Sequence, residues 1–132
     1  MLKKTHLAMG IATTITFITK DNMLIAPLAL VGSIAPDWDI YLGMKHRTLT
    51  HSLIALVGSS YLLYTFNKQL GLLWGVNYLS HIVLDSLTKR GVPLLYPFRK
   101  NYQGLKLFKT GGAEDLFISL ILIYIIISVI RK

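Results

Sequence analysis

The sequence predicts an all-α protein: a polytopic membrane helical bundle of about five helices, built as a single domain over residues 1–132. Three observations predict it. The chain is 53% hydrophobic, which favours lipid as the solvent for much of its surface. Charge-free stretches at 5–19, 22–36, 48–67, 69–84 and 116–130 mark five separate segments. The last reads LFISLILIYIIISVI and has no polar face; a helix that is apolar all round belongs in a large core or in lipid. A chain of 132 residues cannot offer such a core to five segments, and its mean hydropathy of +0.54 agrees with lipid.

Hydrophobicity places the first helix at 4–19. Its start, MLKK before an apolar run, has the look of a signal peptide. No small-x-small cleavage pattern precedes Lys20, so the segment is read as a mature helix. Lys20-Asp21-Asn22 turns the chain into a second helix at 22–35, with Pro27 as a potential kink and Pro36 as its end. The third helix is placed at 49–67 with Thr48 as its N-cap. Asn67-Lys68-Gln69 leads into the fourth at 70–88, which Gly91, Pro93 and Pro97 bring to a stop. Gly111-Gly112 precedes the fifth at 113–131. Most segments fall short of the roughly 20 residues of a full span, which flanking Lys and Arg or local thinning would accommodate.

Five crossings put the N-terminus, the 36–48 loop and the 89–112 loop on one face. His6, Asp37, Asp39, His46, His51, His81, Asp85, Glu114 and Asp115 all fall there; among His and acidic residues only Asp21 falls on the other. Hydrophobicity sends polar residues to helix ends but does not choose the end, so this one-sidedness is informative. Lys and Arg follow the same bias, which orients the polar face toward the cytoplasm by the positive-inside rule. The net charge of +8 then describes the basic edges of a membrane protein. No nucleic-acid partner is expected, because the basic residues lack interleaved aromatics for base stacking. With no cysteine, disulfides and thiolate metal sites are excluded.

The polar face has the residue types of a metal site. His81 and Asp85, four apart in HIVLD, share one face of a helix and offer a nitrogen and an oxygen together. The same spacing also suits a hydrogen-bonded interhelical pair. In APDWD, Asp37 can reach a metal while Asp39 orients a ligand; Trp38 between them suits the membrane interface. HRTLTHS brings His46, Arg47 and His51. His46 is a candidate proton donor, as is Asp39, and Arg47 a candidate clamp for phosphate oxygens. His6 opens the first helix on this face. Glu114 opens the fifth, where the helix dipole alone also favours a carboxylate. Asp115 is read as a cap or supporting residue. Together these His and carboxylate donors suit Zn²⁺ or Mn²⁺, as one or two ions.

His6, PDWD at 36–39, HRTLTHS at 46–52, HIVLDSLTKRGVPLLYPF at 81–98 and GGAED at 111–115 follow in an order that resembles the YdjM-like family of small bacterial membrane-bound proteins, described as metal-dependent hydrolases. That family is distantly similar to the zinc-dependent phospholipase C and single-strand nuclease superfamily. The resemblance implies His6, Asp37, His51, His81, Asp85 and Glu114 as metal ligands. Glu114 lacks a His four residues before it, which departs from the superfamily's second histidine–acid pair and argues against a third metal. The expectation is a membrane-bound phosphoesterase of the bacterial inner membrane. It would act on a phospholipid or lipid-linked phosphate through a metal-activated water, with Arg47, Lys89 and Arg90 on the substrate phosphate. The alternative is a non-enzymatic membrane protein that binds metal or anionic lipid for structure or regulation. A transporter fits less well, because the ionisable residues gather at one end rather than at mid-membrane.

Overall fold

The computed structural model describes residues 1–132. The chain forms five α-helices and three short 3₁₀ turns, with isolated β-bridges but no strand. The helices are α1 (Lys3–Phe17), α2 (Ala26–Leu30), α3 (Leu53–Phe66), α4 (Lys68–Leu87) and α5 (Ala113–Ile130).

Polar caps fix the boundaries. Asn22 closes α1, donating to the Phe17 carbonyl at 3.0 Å and accepting from Thr19 N–H at 2.7 Å. The expected second helix at 22–35 is instead the five-residue α2 followed by 3₁₀ turns Val31–Ser33 and Ala35–Ile40. Two features explain this correction. Pro27 is accommodated in the first turn of α2. Gly32 passes so close to α4 that a Cβ would stand 2.9 Å from the Trp74 carbonyl oxygen. The third helix also starts later than expected. Its N-cap is Ser52, whose Oγ accepts from Ala55 N–H at 3.3 Å, and not Thr48, because a 3₁₀ turn at Leu49–His51 comes first.

Helix α4 is the centre of the body. Asn67 ends α3 and caps α4, accepting from Leu70 N–H at 3.0 Å, so the two helices fold back with a one-residue joint. Gly71 and Gly75, four apart, let α3 approach closely: a Cβ on Gly71 would lie 2.5 Å from the Tyr64 backbone. Helix α1 packs on α4, with Thr14 and Asn77 exchanging hydrogen bonds, and on α5 through Ala8, Ala12 and Leu122. Asp115 secures the α1–α5 contact, accepting from Thr5 Oγ1 at 2.6 Å and from the N–H groups of Leu2 and Gly111 at 3.0 and 2.9 Å.

The segment after α4 folds back over that helix's C-terminal end. Val92 and Gln103 exchange backbone hydrogen bonds, and Lys89 N–H donates to Phe108. Gly91 makes the turn at φ 67°, with no room for a Cβ beside the Gln103 carbonyl.

The exterior is apolar. Helix α3 fully buries none of its residues, and large apolar side chains are exposed on every α-helix. One helix, Ala113–Ile130, is long and apolar enough to cross a membrane; Leu53–Phe66 is apolar but shorter. Of the five short crossings expected, one helix therefore combines the length and the apolarity of a membrane span. At about 1.5 Å per residue, α1 and α3 reach only about 21–23 Å, short of a hydrocarbon core of about 30 Å.

Candidate metal centre

The start of α1, the turns Ala35–Ile40 and Leu49–His51, and the end of α4 converge at one end of the bundle. There His51 Nε2, His81 Nε2, Asp37 Oδ1 and Asp85 Oδ2 surround a common point. The two nitrogens lie 3.2 Å apart. His51 Nε2 is 3.7 Å from Asp37 and 3.2 Å from Asp85; His81 Nε2 is 3.5 and 3.6 Å from the same two oxygens. A tetrahedral ion with ligand bonds of about 2.0–2.1 Å needs donors separated by about 3.4 Å. The five separations scatter around that value.

The outer contacts of these rings aim them inward. His81 Nδ1–H donates to the Ser33 carbonyl at 2.7 Å, which leaves the Nε2 lone pair for a ligand. His51 Nδ1 faces Thr50 Oγ1 at 3.1 Å and Asp39 Oδ2 at 3.6 Å, so its Nε2 is likewise free to ligate. His6 stacks on His81 with ring centroids 3.7 Å apart, and its Nε2 lies 3.2 Å from Asp85 Oδ1. That approach is misaligned for a hydrogen bond, so both His6 ring nitrogens are buried without a partner. Two imidazole nitrogens and two carboxylate oxygens buried around one point are costly unless a cation joins them. The donor set fits a divalent metal.

Asp39 is a buried hub. It accepts from His46 Nδ1–H at 2.9 Å, from Arg47 N–H at 3.0 Å and from Thr50 Oγ1 at 2.9 Å. His46 is half-buried, and its Nε2 lies 3.9 Å from Asp37 Oδ1. Asp39, His46 and His51 form a second group with metal-ligand spacing that shares His51 with the first.

Burial raises the Asp37 carboxyl, but the approach of His51 and His81 outweighs it and holds the group well below the usual carboxylate range. Burial pushes the Arg47 guanidinium below its ordinary value, opposed by Asp85.

Several expectations from sequence fare differently here. Arg47 is not open to a substrate phosphate. Its guanidinium is buried, donating to Asp85 Oδ1 at 2.9 Å, Thr88 Oγ1 at 2.8 Å and the Gly91 carbonyl at 3.2 Å. Its backbone, at φ 58°, turns the side chain inward. Glu114 is exposed and outside the cluster; its neighbour Asp115 faces inward instead and serves the α1–α5 contact. Lys89 and Arg90 are exposed just past the end of α4 and form no ion pair with Asp37 or Asp85. Thr50, Thr88 and the Ser33 carbonyl, which support the cluster, carried no sequence signal beyond the polarity of the two threonines. The α-amino group of Met1 also contacts Asp85.

The YdjM inner membrane protein family matches the chain over residues 1–132. The uncharacterized protein YvsG of Bacillus subtilis (strain 168) is 29% identical over 138 residues, covering 87% of this chain and 85% of its own. The inner membrane protein YdjM of Escherichia coli (strain K12) is 33% identical over 105 residues, covering 60% of this chain and 52% of its own. The chain thus spans about half the length of the latter relative. No solved structure matches it.

Proposed function

The chain belongs to the YdjM inner membrane protein family, and on that footing we propose that it is a metal-dependent hydrolase of the bacterial inner membrane, a phosphoesterase acting on a phospholipid or lipid-linked phosphate. The observation that carries the reading is the tetrahedral spacing of His51, His81, Asp37 and Asp85, with His6 beside them. The motif similarity to the zinc-dependent phospholipase C superfamily supplies the reaction type. Zn²⁺ or Mn²⁺ held there would supply Lewis acidity toward a phosphoryl oxygen and lower the pKa of water.

The chain's own groups complete the arrangement. Asp39 holds the His46 Nδ1 proton, which leaves Nε2 at the partly open edge of the cluster as a base or acid. Arg47 pins Asp85 Oδ1 and directs Oδ2 toward the histidines. The apolar exteriors of α3 and α5 support a multi-pass embedding, with shorter helices met by thinned bilayer and snorkelling lysines. The basic bias supports a cytoplasmic orientation for the cluster end.

The test is metal analysis and phosphodiester turnover on membrane lipids for the purified chain and for Asp85→Ala and His51→Ala. Both variants should lose the ion and the activity together; turnover at the parent rate in both would reject the assignment. Near-complete burial of His51, His81 and Asp85 favours a second reading, a closed structural metal site without catalysis. Cobalt substitution separates the two. An open site changes its absorption spectrum when phosphate is added; a closed one does not.

A further inference from the structure

A cavity of ≈ 370 Å³ lies between the start of α1 and the turn Ala35–Ile40. Asp37 is part of its wall, so the cavity borders the metal cluster. Lys3 and Lys4 line one side, with Leu7 behind them; Ile34, Trp38 and Tyr41 line the other. Lys3 Nζ donates to Tyr41 Oη and sits 4.3 Å from the centroid of that ring, which joins the two elements across the mouth.

The lysines are not explained by local folding. Two cations in the first turn of α1 oppose its dipole. Neither has a carboxylate partner, since Asp37 faces His46, His51 and His81 instead. Trp38 and Tyr41 are 47% and 72% exposed, with Ile40 and Leu42 also exposed beside them. Lysines facing exposed aromatic and aliphatic groups are suited to the headgroup boundary of a bilayer. The volume suits a headgroup and its glycerol rather than a whole lipid.

We propose that this cavity is the phospholipid-binding subsite of the cluster. Lys3 and Lys4 hold the anionic phosphate, Leu7, Ile34 and Trp38 take the first apolar part of the molecule, and the acyl chains stay in the bilayer. It names the substrate class within the hydrolase reading and rests on that reading for its consequence in turnover. It also moves phosphate recognition from Arg47, Lys89 and Arg90 to the start of α1.

Binding is measured on the full chain in detergent after chelation, so that it is independent of metal chemistry. The titrants are short-chain phosphatidylglycerol and inorganic phosphate. Lys3→Gln/Lys4→Gln should weaken phosphatidylglycerol binding about tenfold or more. Trp38→Ala should weaken it too, while Lys106→Gln/Lys109→Gln, with the same change in charge, should not. Thermal unfolding of each variant by circular dichroism in the same detergent verifies the fold, and zinc stoichiometry of the parent is measured separately. Unchanged lipid binding in the Lys3/Lys4 variant, equal loss in the control, or inorganic phosphate bound as tightly as the lipid would overturn the proposal. Absence of zinc binding by the parent chain would remove the hydrolase reading and leave the lipid result standing.

Discussion

Arg47 offers a sharp test of how the cluster is balanced. Its guanidinium is buried against Asp85, Thr88 and Gly91, on a backbone at φ 58°. Arg47→Ala removes one partner of a buried ion pair, which costs about 3–5 kcal/mol in comparable cases. The lower end applies, because the α-amino group and three histidines also face Asp85. Arg47→Gly removes the same contacts but relieves the left-handed backbone, so it should be about 1–2 kcal/mol more stable than Arg47→Ala. A divalent ion would neutralise Asp85 directly. The penalty should therefore be largest in the chelated protein and shrink with zinc. By linkage each ~1.4 kcal/mol recovered appears as tenfold tighter zinc binding in the variant. Denaturant unfolding in detergent, with EDTA and with zinc, reads all three quantities. A penalty below about 1 kcal/mol without metal, or a Gly variant less stable than the Ala variant, would refute the reasoning.

Gly10→Ala should weaken zinc binding without touching a ligand. Its Cβ would stand 2.3 Å from Ser33 Oγ, forcing aside the residue whose carbonyl orients His81. The loss should be about 10–100-fold by isothermal titration, as for other supporting contacts of metal-bound histidine. Asp115→Asn should loosen α5 from α1, costing about 1.5–3 kcal/mol in thermal or denaturant unfolding, because one charged acceptor serves three donors there. Zinc occupancy should fall as pH drops, because the ligating imidazoles must be neutral to bind the ion. Asp37 does not set that limit. Its depressed pKa keeps it ionised throughout the range, and its own contribution to stability is lost only in stronger acid. With no native cysteine, Lys106→Cys and Lys68→Cys report orientation by reagent labelling from either side of inverted vesicles; labelling of both from the same side would reject the proposed crossing.

What the sequence disclosed, and what it hid, follows from physics. Helices α1, α4 and α5 were legible to within two residues because their apolar runs stop at the polar and glycine residues that bound them, among them Asn22, Asn67 and Gly112. The i, i+4 pair His81–Asp85 was legible because helical geometry places both side chains on one face. The second segment was misread because an apolar run does not distinguish an α-helix from 3₁₀ turns; close approach to α4 at Gly32 depends on tertiary packing. Arg47 pointed the wrong way for a related reason. Its direction is set by one positive φ, which composition does not encode. Glu114 and Asp115 are adjacent carboxylates, and only the rotation of α5 against α1 decides which one is buried. The Ser33 carbonyl has no side-chain signature at all, although it fixes the tautomer of His81.

The geometry also bears on the number of ions. A two-ion centre would draw its second set from Asp39, His46 and His51. His51 would then use both ring nitrogens, and a neutral imidazole has only one lone pair to give. Serving two ions requires the imidazolate. Asp39 is equally committed, with three hydrogen bonds from His46, Arg47 and Thr50. An ion at His6 would compete with Arg47 for Asp85 Oδ1. Each alternative breaks contacts that the first donor set leaves intact. The expected stoichiometry is one ion per chain, with Asp39 and His46 kept for proton transfer. Anomalous scattering at the zinc edge would show a single peak among His51, His81, Asp37 and Asp85. Two peaks of similar height would mean that Asp39 is a ligand and that the proton must move by another route.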